Sequence, residues 1–331
     1  MKTIIYTCPY VPAEWIAAHG LRPSRIIPDS ASSVLSLAGR EGICPYVRGF
    51  VAAVTKNERA GAVIVTTVCD QMRRAFDVVT RECELPAFLM NVPNTWQNTA
   101  AQELYRDELL RLGRFLVRQG GKSPSNDALA EVTLRYDAAR TCILASREQL
   151  SARSYAESIA AFGRDGPQTS CTSRNTQYTR RNTRYVPLAI IGGPLMKQEF
   201  RIFDIVEESG GRIVLDATET GERGLCASPD VQRLRENPLR ELAKAYFCGI
   251  VDASRRPDCE LYDWLERRLA EREVQGVIFR RYVWCDMWHA QLRRFKDLID
   301  LPVLDIDTAG DFESERSRTA GRIRAFLEML L

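Results

Sequence analysis

The strongest constraint on the fold is an alternation of short β-rich runs with longer amphipathic runs, which occurs in both halves of the chain. In the first half, the apolar runs at residues 4–6, 61–66 and 87–90 alternate with helical patterns. Predicted strands at residues 186–191, 212–216, 276–279 and 303–306 repeat the alternation in the second half. This pattern is typical of α/β layers built on parallel strands. We therefore predict two Rossmann-like, doubly wound domains that bind ligands at the carboxyl ends of their strands.

A polar segment at residues 163–185 divides the two patterns. It is rich in Ser, Thr, Asn and Arg and has almost no aliphatic side chains. This composition is typical of an interdomain linker, although its five arginines would also suit an anion-binding flap. We predict an N-terminal α/β domain over residues 1–162, a polar linker or flap over 163–185, and a C-terminal α/β domain over 186–331.

Cysteine usage calls for a chemical explanation, because the chain has ten cysteines and its start does not resemble a signal peptide. The first apolar stretch is short, and Pro9 and Pro12 interrupt it. We expect a cytoplasmic protein, in which a disulfide framework is not favoured. Only two histidines are present, which disfavours a His-rich metal site. Because no Cys-x-x-Cys pair occurs, an iron–sulfur cluster would need cysteines that lie far apart in sequence.

Charge and hydropathy exclude two classes of partner. The net charge is +3 from 46 basic and 43 acidic residues, so no nucleic-acid role is indicated. No apolar run approaches the ~18 residues of a membrane helix. We therefore expect neither nucleic acid nor a membrane as a partner.

One local pattern, a buried strand followed by Cys-Asp and a helix, occurs in both halves. Cys69 and Asp70 follow one strand, and Cys285 and Asp286 follow another. A helix N-terminus favours a thiolate electrostatically. A buried thiolate without a partner costs on the order of several kcal/mol, and a cationic cluster removes that cost. Both cysteines are therefore candidate metal ligands, with packed structural cysteines as the alternative.

A third candidate ligand is Cys44, which begins a Cys-Pro-Tyr-Val unit before a predicted helix. Cys8 begins a similar unit, so it is either a further ligand or a small residue at a tight turn. Asp70 and Asp286 would act beside the ligands as acid/base groups or as helix caps. Three arginines near these cysteines would stabilise an anionic cluster or a substrate carboxylate: Arg48, Arg73 and Arg74.

Several short motifs follow one another along nearly the whole chain. They are YTCPYVPAE at 6–14, AA-x-GL-x-P at 17–23, CPYVR at 44–48, CDQMR at 69–73, GGP at 192–194, VWCD at 283–286 and GRIRAFLE at 321–328. In this order they resemble the 2-hydroxyacyl-CoA dehydratase/benzoyl-CoA reductase family, which also includes double-cubane cluster proteins.

The resemblance implies two Rossmann-like domains with a [4Fe–4S] cluster in the cleft between them. Three cysteines hold the cluster in the family, and they carry over to Cys44, Cys69 and Cys285. The fourth iron site is then open to water or substrate. Glu14 is a candidate acid/base residue on the resemblance alone.

The resemblance also implies partners and a reaction. Family members pair with a paralogous subunit or a second copy, and a separate cluster-containing activator ATPase injects one electron at low potential. Dehydratases then remove water from a 2-hydroxyacyl-CoA through a ketyl radical, whereas the reductases pass electrons into an aromatic thioester.

Two alternatives stay open on the sequence. A double-cubane [8Fe–9S] cluster that reduces small molecules would need further thiolates, for which Cys8, Cys226 and Cys248 are available. A non-catalytic electron-transfer or cluster-carrying subunit would need no substrate pocket. Many dehydratase subunits carry a helical N-terminal extension that helps to enclose the acyl-CoA, whereas this sequence begins almost at its first predicted strand, so the substrate stays open.

Overall fold

Two parallel sheets form the centre of the protein in a computed structural model that describes residues 1–31, 42–168 and 185–331. The first sheet consists of β1 (Thr3–Tyr6), β2 (Arg22–Arg25), β3 (Ala60–Thr66) and β4 (Ala87–Met90). The second consists of β5 (Val186–Gly192), β6 (Gly211–Thr218), β7 (Gly276–Tyr282) and β8 (Val303–Thr308). The orders are β2-β1-β3-β4 and β6-β5-β7-β8, and all neighbouring strands are parallel. The predicted pair of Rossmann-like α/β units is confirmed.

Helices flank both sheets. The first half contributes α1 (Ala13–Ala18), α2 (Pro45–Thr55), α3 (Asp70–Glu82), α4 (Thr99–Arg118), α5 (Asn126–Ala145) and α6 (Ala152–Asp165). The second half contributes α7 (Arg201–Glu208), α8 (Val231–Glu236), α9 (Pro238–Phe247), α10 (Cys259–Glu271), α11 (Asp286–Leu298) and α12 (Phe312–Leu330).

Side-chain caps explain where the long helices of the first half begin. The side chains of Asn98, Ser125 and Ser151 each accept a hydrogen bond from a backbone N–H in the first turn of α4, α5 and α6. Such a cap satisfies an amide that has no partner within the helix. The Ser151 cap also separates α5 from α6, where the sequence pattern predicts one long helical region with a break.

The two units exchange helices. Ala152 and Ala156 of α6, which precede the polar segment, pack in the core of the second sheet together with Leu188. In the opposite direction, Tyr246 and Phe247 of α9 pack in the core of the first unit. Each fully buried aromatic or aliphatic side chain contributes about 1.5–3 kcal/mol. The hydrophobic cores therefore tie the two units to each other.

The predicted linker or flap is only partly visible. Helix α6 extends to Asp165, and residues 169–184 lie outside the described residues, so the linker and flap alternatives remain predictions. Within residues 1–31, 42–168 and 185–331, no helix combines the length and the apolar character needed to cross a bilayer.

The strand order places two equivalent crevices at the carboxyl edges of the sheets. In the first sheet the chain runs from β1 to β2 on one side and then crosses to β3 on the other side. In the second sheet it runs from β5 to β6 and then crosses to β7. The strand order therefore reverses between β1 and β3 and between β5 and β7. Ligands of open α/β sheets bind at such a reversal. Cys8 follows β1, Cys69 follows β3, and Cys285 follows β7. The fold thus brings cysteines of both units to the functional edges.

Candidate functional site

Three thiols occupy the same structural position at three different helices. Cys44, Cys69 and Cys285 are the N-cap residues of α2, α3 and α11, and no side-chain capping bond is formed at any of them. The backbone N–H groups of each first turn lie near the cysteine sulfur and lower the pKa of its thiol. The positive ends of three helices therefore surround these thiols, which favours negative charge on sulfur.

A single cavity of about 380 Å³ receives these thiols from both units. Its volume falls in the usual range for small-molecule sites. Cys8 lines the same cavity as Cys44, Cys69 and Cys285. Other side chains that line it include Tyr46, Glu219, Asp252, Arg256, Tyr282 and Trp288.

Burial opposes ionisation of the three thiols. Burial is the largest effect in each case, and it raises the pKa of Cys44 and Cys69 to about 12 and that of Cys285 to about 11. Within the described ranges, no three Cys, His, Asp or Glu side chains converge closely enough to hold a single metal ion. A coordinating metal deprotonates a thiol outright, so metal ligation would reverse the effect of burial.

The further candidate cysteines separate into two groups. Cys8 is buried on the cavity wall, where burial, followed by the Glu219 charge, raises the pKa of its thiol above the ordinary range. Cys226 is packed in the core of the first unit, and Cys248 is partly buried at the end of α9. Neither of these two lines the cavity. Cys226 is therefore not available as a further ligand at this cavity, because the chain after β6 places it in the hydrophobic core.

The structure places Glu14 away from the cavity. Its side chain has no solvent exposure, and it accepts a hydrogen bond from the Tyr246 hydroxyl. The Arg140 guanidinium lies 3.4 Å from the other carboxylate oxygen. Glu14 thus joins α1, α5 and α9 inside the first unit, where a substrate in the cavity does not reach it.

The other predicted polar residues lie at the cavity mouth or beyond it. Asp70 has an exposed side chain 3.8 Å from Arg73, and Asp286 is exposed at the first turn of α11. Arg73 and Arg74 line the mouth. Arg48 does not line the cavity and donates instead to a backbone carbonyl in the loop after β8, at 3.4 Å.

Glu219, which was not predicted from the sequence, follows the carboxyl end of β6 and lines the cavity. Burial, followed by the neighbouring Asp252 carboxylate, raises the pKa of Glu219 to about 7. Arg25 from β2 lies 3.6 Å from this carboxylate. The strand-end position was the signal that could have identified it.

Gln71, which was not predicted from the sequence either, connects two of the cysteine segments. Its side-chain oxygen accepts a hydrogen bond from the Cys44 N–H at 3.1 Å. Its side-chain nitrogen donates to the Gly42 carbonyl at 2.9 Å. The amide of α3 therefore fixes the loop that carries Cys44 at the start of α2.

Replacing Gln71 by leucine is expected to destabilise the protein by about 1–3 kcal/mol, because two backbone groups lose their partners in a partly buried site. Urea unfolding of the full chain measures this change. Gln232→Leu, at an exposed position of α8, is the control and should change stability by less than about 0.5 kcal/mol. Equal stability of the two variants would show that the amide does not hold the loop.

An unusual backbone conformation precedes Cys285. Trp284 has a φ of 66° and an exposed side chain. Bulky residues seldom adopt this left-handed region, and such conformations persist where the surrounding structure requires them. The turn directs the chain from β7 into α11 so that Cys285 reaches the cavity.

These features describe a two-unit parallel α/β protein with a thiol-lined cleft. The model of the family described as 2-hydroxyglutaryl-CoA dehydratase, D-component, matches residues 8–330, so the chain belongs to that family. The chain is also similar to "Putative dehydratase subunit YjiM" of Escherichia coli (strain K12). The two are 22% identical over 294 residues, which cover 81% of this chain and 74% of the E. coli protein. The predicted resemblance is thereby confirmed.

Proposed function

We propose that this chain is the iron–sulfur component of a 2-hydroxyacyl-CoA dehydratase. Membership of the dehydratase family supports a dehydratase component. The observation that carries the cofactor proposal is the shared cavity of Cys44, Cys69 and Cys285, each at a helix N-terminus. Thiolates are the ligands that iron–sulfur clusters prefer. These three residues would hold a [4Fe–4S] cluster.

When bound, the cluster would supply single electrons at low potential. The residues of the chain have other tasks. The first-turn backbone N–H groups near the three sulfurs favour negative charge there. Three exposed arginines at the mouth suit the phosphate groups of a CoA thioester: Arg73, Arg74 and Arg256.

The proposed reaction needs partners. We expect a paralogous subunit or a second copy of this chain, and a separate cluster-containing activator ATPase that delivers the electron for a radical dehydration. We expect the protein to act in the cytoplasm.

A second candidate function is supported by Cys8. Because this thiol lines the same cavity as the other three, a larger [8Fe–9S] cluster that reduces small molecules is the alternative. Such a cluster would have to use Cys8, since Cys226 and Cys248 lie outside the cavity. The number of irons per chain separates the two candidates.

Turnover tests the proposed reaction. The anaerobically purified chain, its partner subunit and the activator ATPase are incubated with ATP and either 2-hydroxyglutaryl-CoA or lactoyl-CoA. We expect loss of one water, detected by mass spectrometry, only when ATP and the activator are both present. Reduction of benzoyl-CoA without dehydration of either hydroxyacyl thioester would contradict a dehydratase and favour a reductase. Dehydration that needs no activator would contradict the proposed electron supply.

A further inference from the structure

Four carboxylates line the cavity, and three of them are already engaged or exposed. Asp252 forms an ion pair with Arg223 inside the second unit. Asp70 and Asp286 are exposed to solvent at the mouth. Glu219 differs, because its side chain is only 20% exposed and it lies on the inner wall.

The backbone of Glu219 is fixed from the opposite unit. Arg25 of β2 donates from one guanidinium nitrogen to the Thr7 carbonyl at 2.7 Å and from another to the Glu219 carbonyl at 3.2 Å. The same guanidinium lies 3.6 Å from the Glu219 carboxylate, which is longer than a good hydrogen bond. Among the described residues, no hydrogen bond to the carboxylate oxygens is formed. The carboxylate is therefore positioned by a charge and retains acceptor capacity.

The Glu219 carboxylate lies among the ionisable groups of both units that line the cavity. After burial, which is the largest effect, the Glu219 charge contributes to the raised pKa of Cys8, Cys69 and Cys285. It contributes in the same way at Tyr46. These residues come from both units and line one cavity. Glu219 therefore lies on the wall of the cavity that the thiols share.

We propose that Glu219 binds the 2-hydroxyl group of the substrate and so selects 2-hydroxyacyl thioesters over thioesters that lack this hydroxyl. The inference rests on the function proposed above and adds a specificity-determining residue to it. A hydroxyl group donates a hydrogen bond that a carboxyl oxygen accepts, whereas the thioester carbonyl has no proton to donate. Glu219 would therefore orient the hydroxyl end of the acyl chain toward the β6 wall.

Selection follows because an unsubstituted acyl chain would displace water from Glu219 without replacing its hydrogen bond. Sites that bind a substrate hydroxyl reject the analogue without it for this reason. Above pH 7, where the Glu219 carboxyl is mostly ionised, a hydrogen bond to this charged acceptor corresponds to a discrimination of about 10–100-fold in affinity.

Binding of matched thioesters tests the inference. Calorimetry under anaerobic conditions measures the Kd of the full chain for 2-hydroxyglutaryl-CoA and glutaryl-CoA, and for lactoyl-CoA and propionyl-CoA. The proteins are wild type, Glu219→Gln, Glu219→Ala and the surface control Glu271→Gln, whose position in α10 is exposed.

In at least one pair, wild type and Glu271→Gln should favour the hydroxylated thioester by about 10–100-fold. Glu219→Ala should reduce this ratio to less than about threefold, and Glu219→Gln should give an intermediate ratio because its amide oxygen still accepts a hydrogen bond. An unchanged ratio in Glu219→Ala would overturn the role of Glu219 and leave the proposed function intact. Equal weakening of both members of a pair would also overturn it, since only packing would then be lost. If wild type binds none of the four thioesters, the proposed function itself fails and the inference fails with it.

Discussion

Alanine at Cys44, Cys69 or Cys285 is expected to reduce bound iron from about four per chain to less than one in the anaerobically reconstituted protein. Each substitution removes one of the three proposed cluster ligands from the cavity. A cubane held at two corners has too few protein ligands to persist through desalting. Iron quantification and electron paramagnetic resonance (EPR) of the reduced protein measure the loss, and circular dichroism checks that the chain remains folded.

Two matched controls come from the same chain. Cys226→Ala and Cys248→Ala alter cysteines that lie outside the cavity, so both variants should keep the iron content and EPR signal of wild type. Full iron in a folded Cys44, Cys69 or Cys285 variant would contradict the assigned ligands. Iron loss in folded Cys226→Ala would place the cluster elsewhere. The Cys8→Ala variant distinguishes the two proposed clusters, because it should lower the iron content only if the larger [8Fe–9S] cluster is present.

Replacing Arg140 by methionine is expected to destabilise the protein by about 3–5 kcal/mol. The substitution leaves the carboxylate of Glu14 fully buried, and among the described residues only the Tyr246 hydroxyl then remains as a close partner. Because Tyr246 belongs to α9, the unpaired charge also weakens the contact between the exchanged helix and the first unit. Urea unfolding followed by circular dichroism measures the effect.

The control for this prediction is Arg164→Met, which removes an exposed ion pair with Asp165 and should change stability by less than about 1 kcal/mol. The double variant Glu14→Leu/Arg140→Met removes both charges, so it should be more stable than Arg140→Met alone. A loss below 1 kcal/mol in Arg140→Met would show that the buried network does not stabilise the packing of α9.

Most of the fold could be predicted because the periodicity of buried strands is strong in both halves. The exception is β2, whose sequence Arg-Pro-Ser-Arg has neither β-branched residues nor alternation, so only pairing with β1 identifies it. The exchange of α6 and α9 could not be predicted either. An apolar face indicates that a helix packs against a hydrophobic core. The sequence of the helix does not identify which of the two sheets it contacts.

Residues of the site could be predicted where the order of strand, cysteine and helix along the chain determines the position of a side chain. Cys69 and Cys285 follow strands and precede helices, so the sequence places them at carboxyl edges, and the structure brings both to one cavity with Cys44. Glu14 lies in a motif, but a motif does not reveal burial, and contacts with α5 and α9 decide its environment. Glu219 lies in a polar run after β6 that reads as a surface turn. Its importance depends on Arg25, which is distant in sequence.

Iron and sulfide quantification of the anaerobically reconstituted wild-type chain, together with EPR of the reduced protein, tests the central claim most directly. The account predicts about four irons and four sulfides per chain and the signal of a reduced [4Fe–4S] cluster. About eight irons would instead support the double-cubane alternative at the same cavity. The Cys44→Ala/Cys69→Ala/Cys285→Ala variant should bind no iron. A folded wild-type chain that also binds no iron would contradict the proposed cluster.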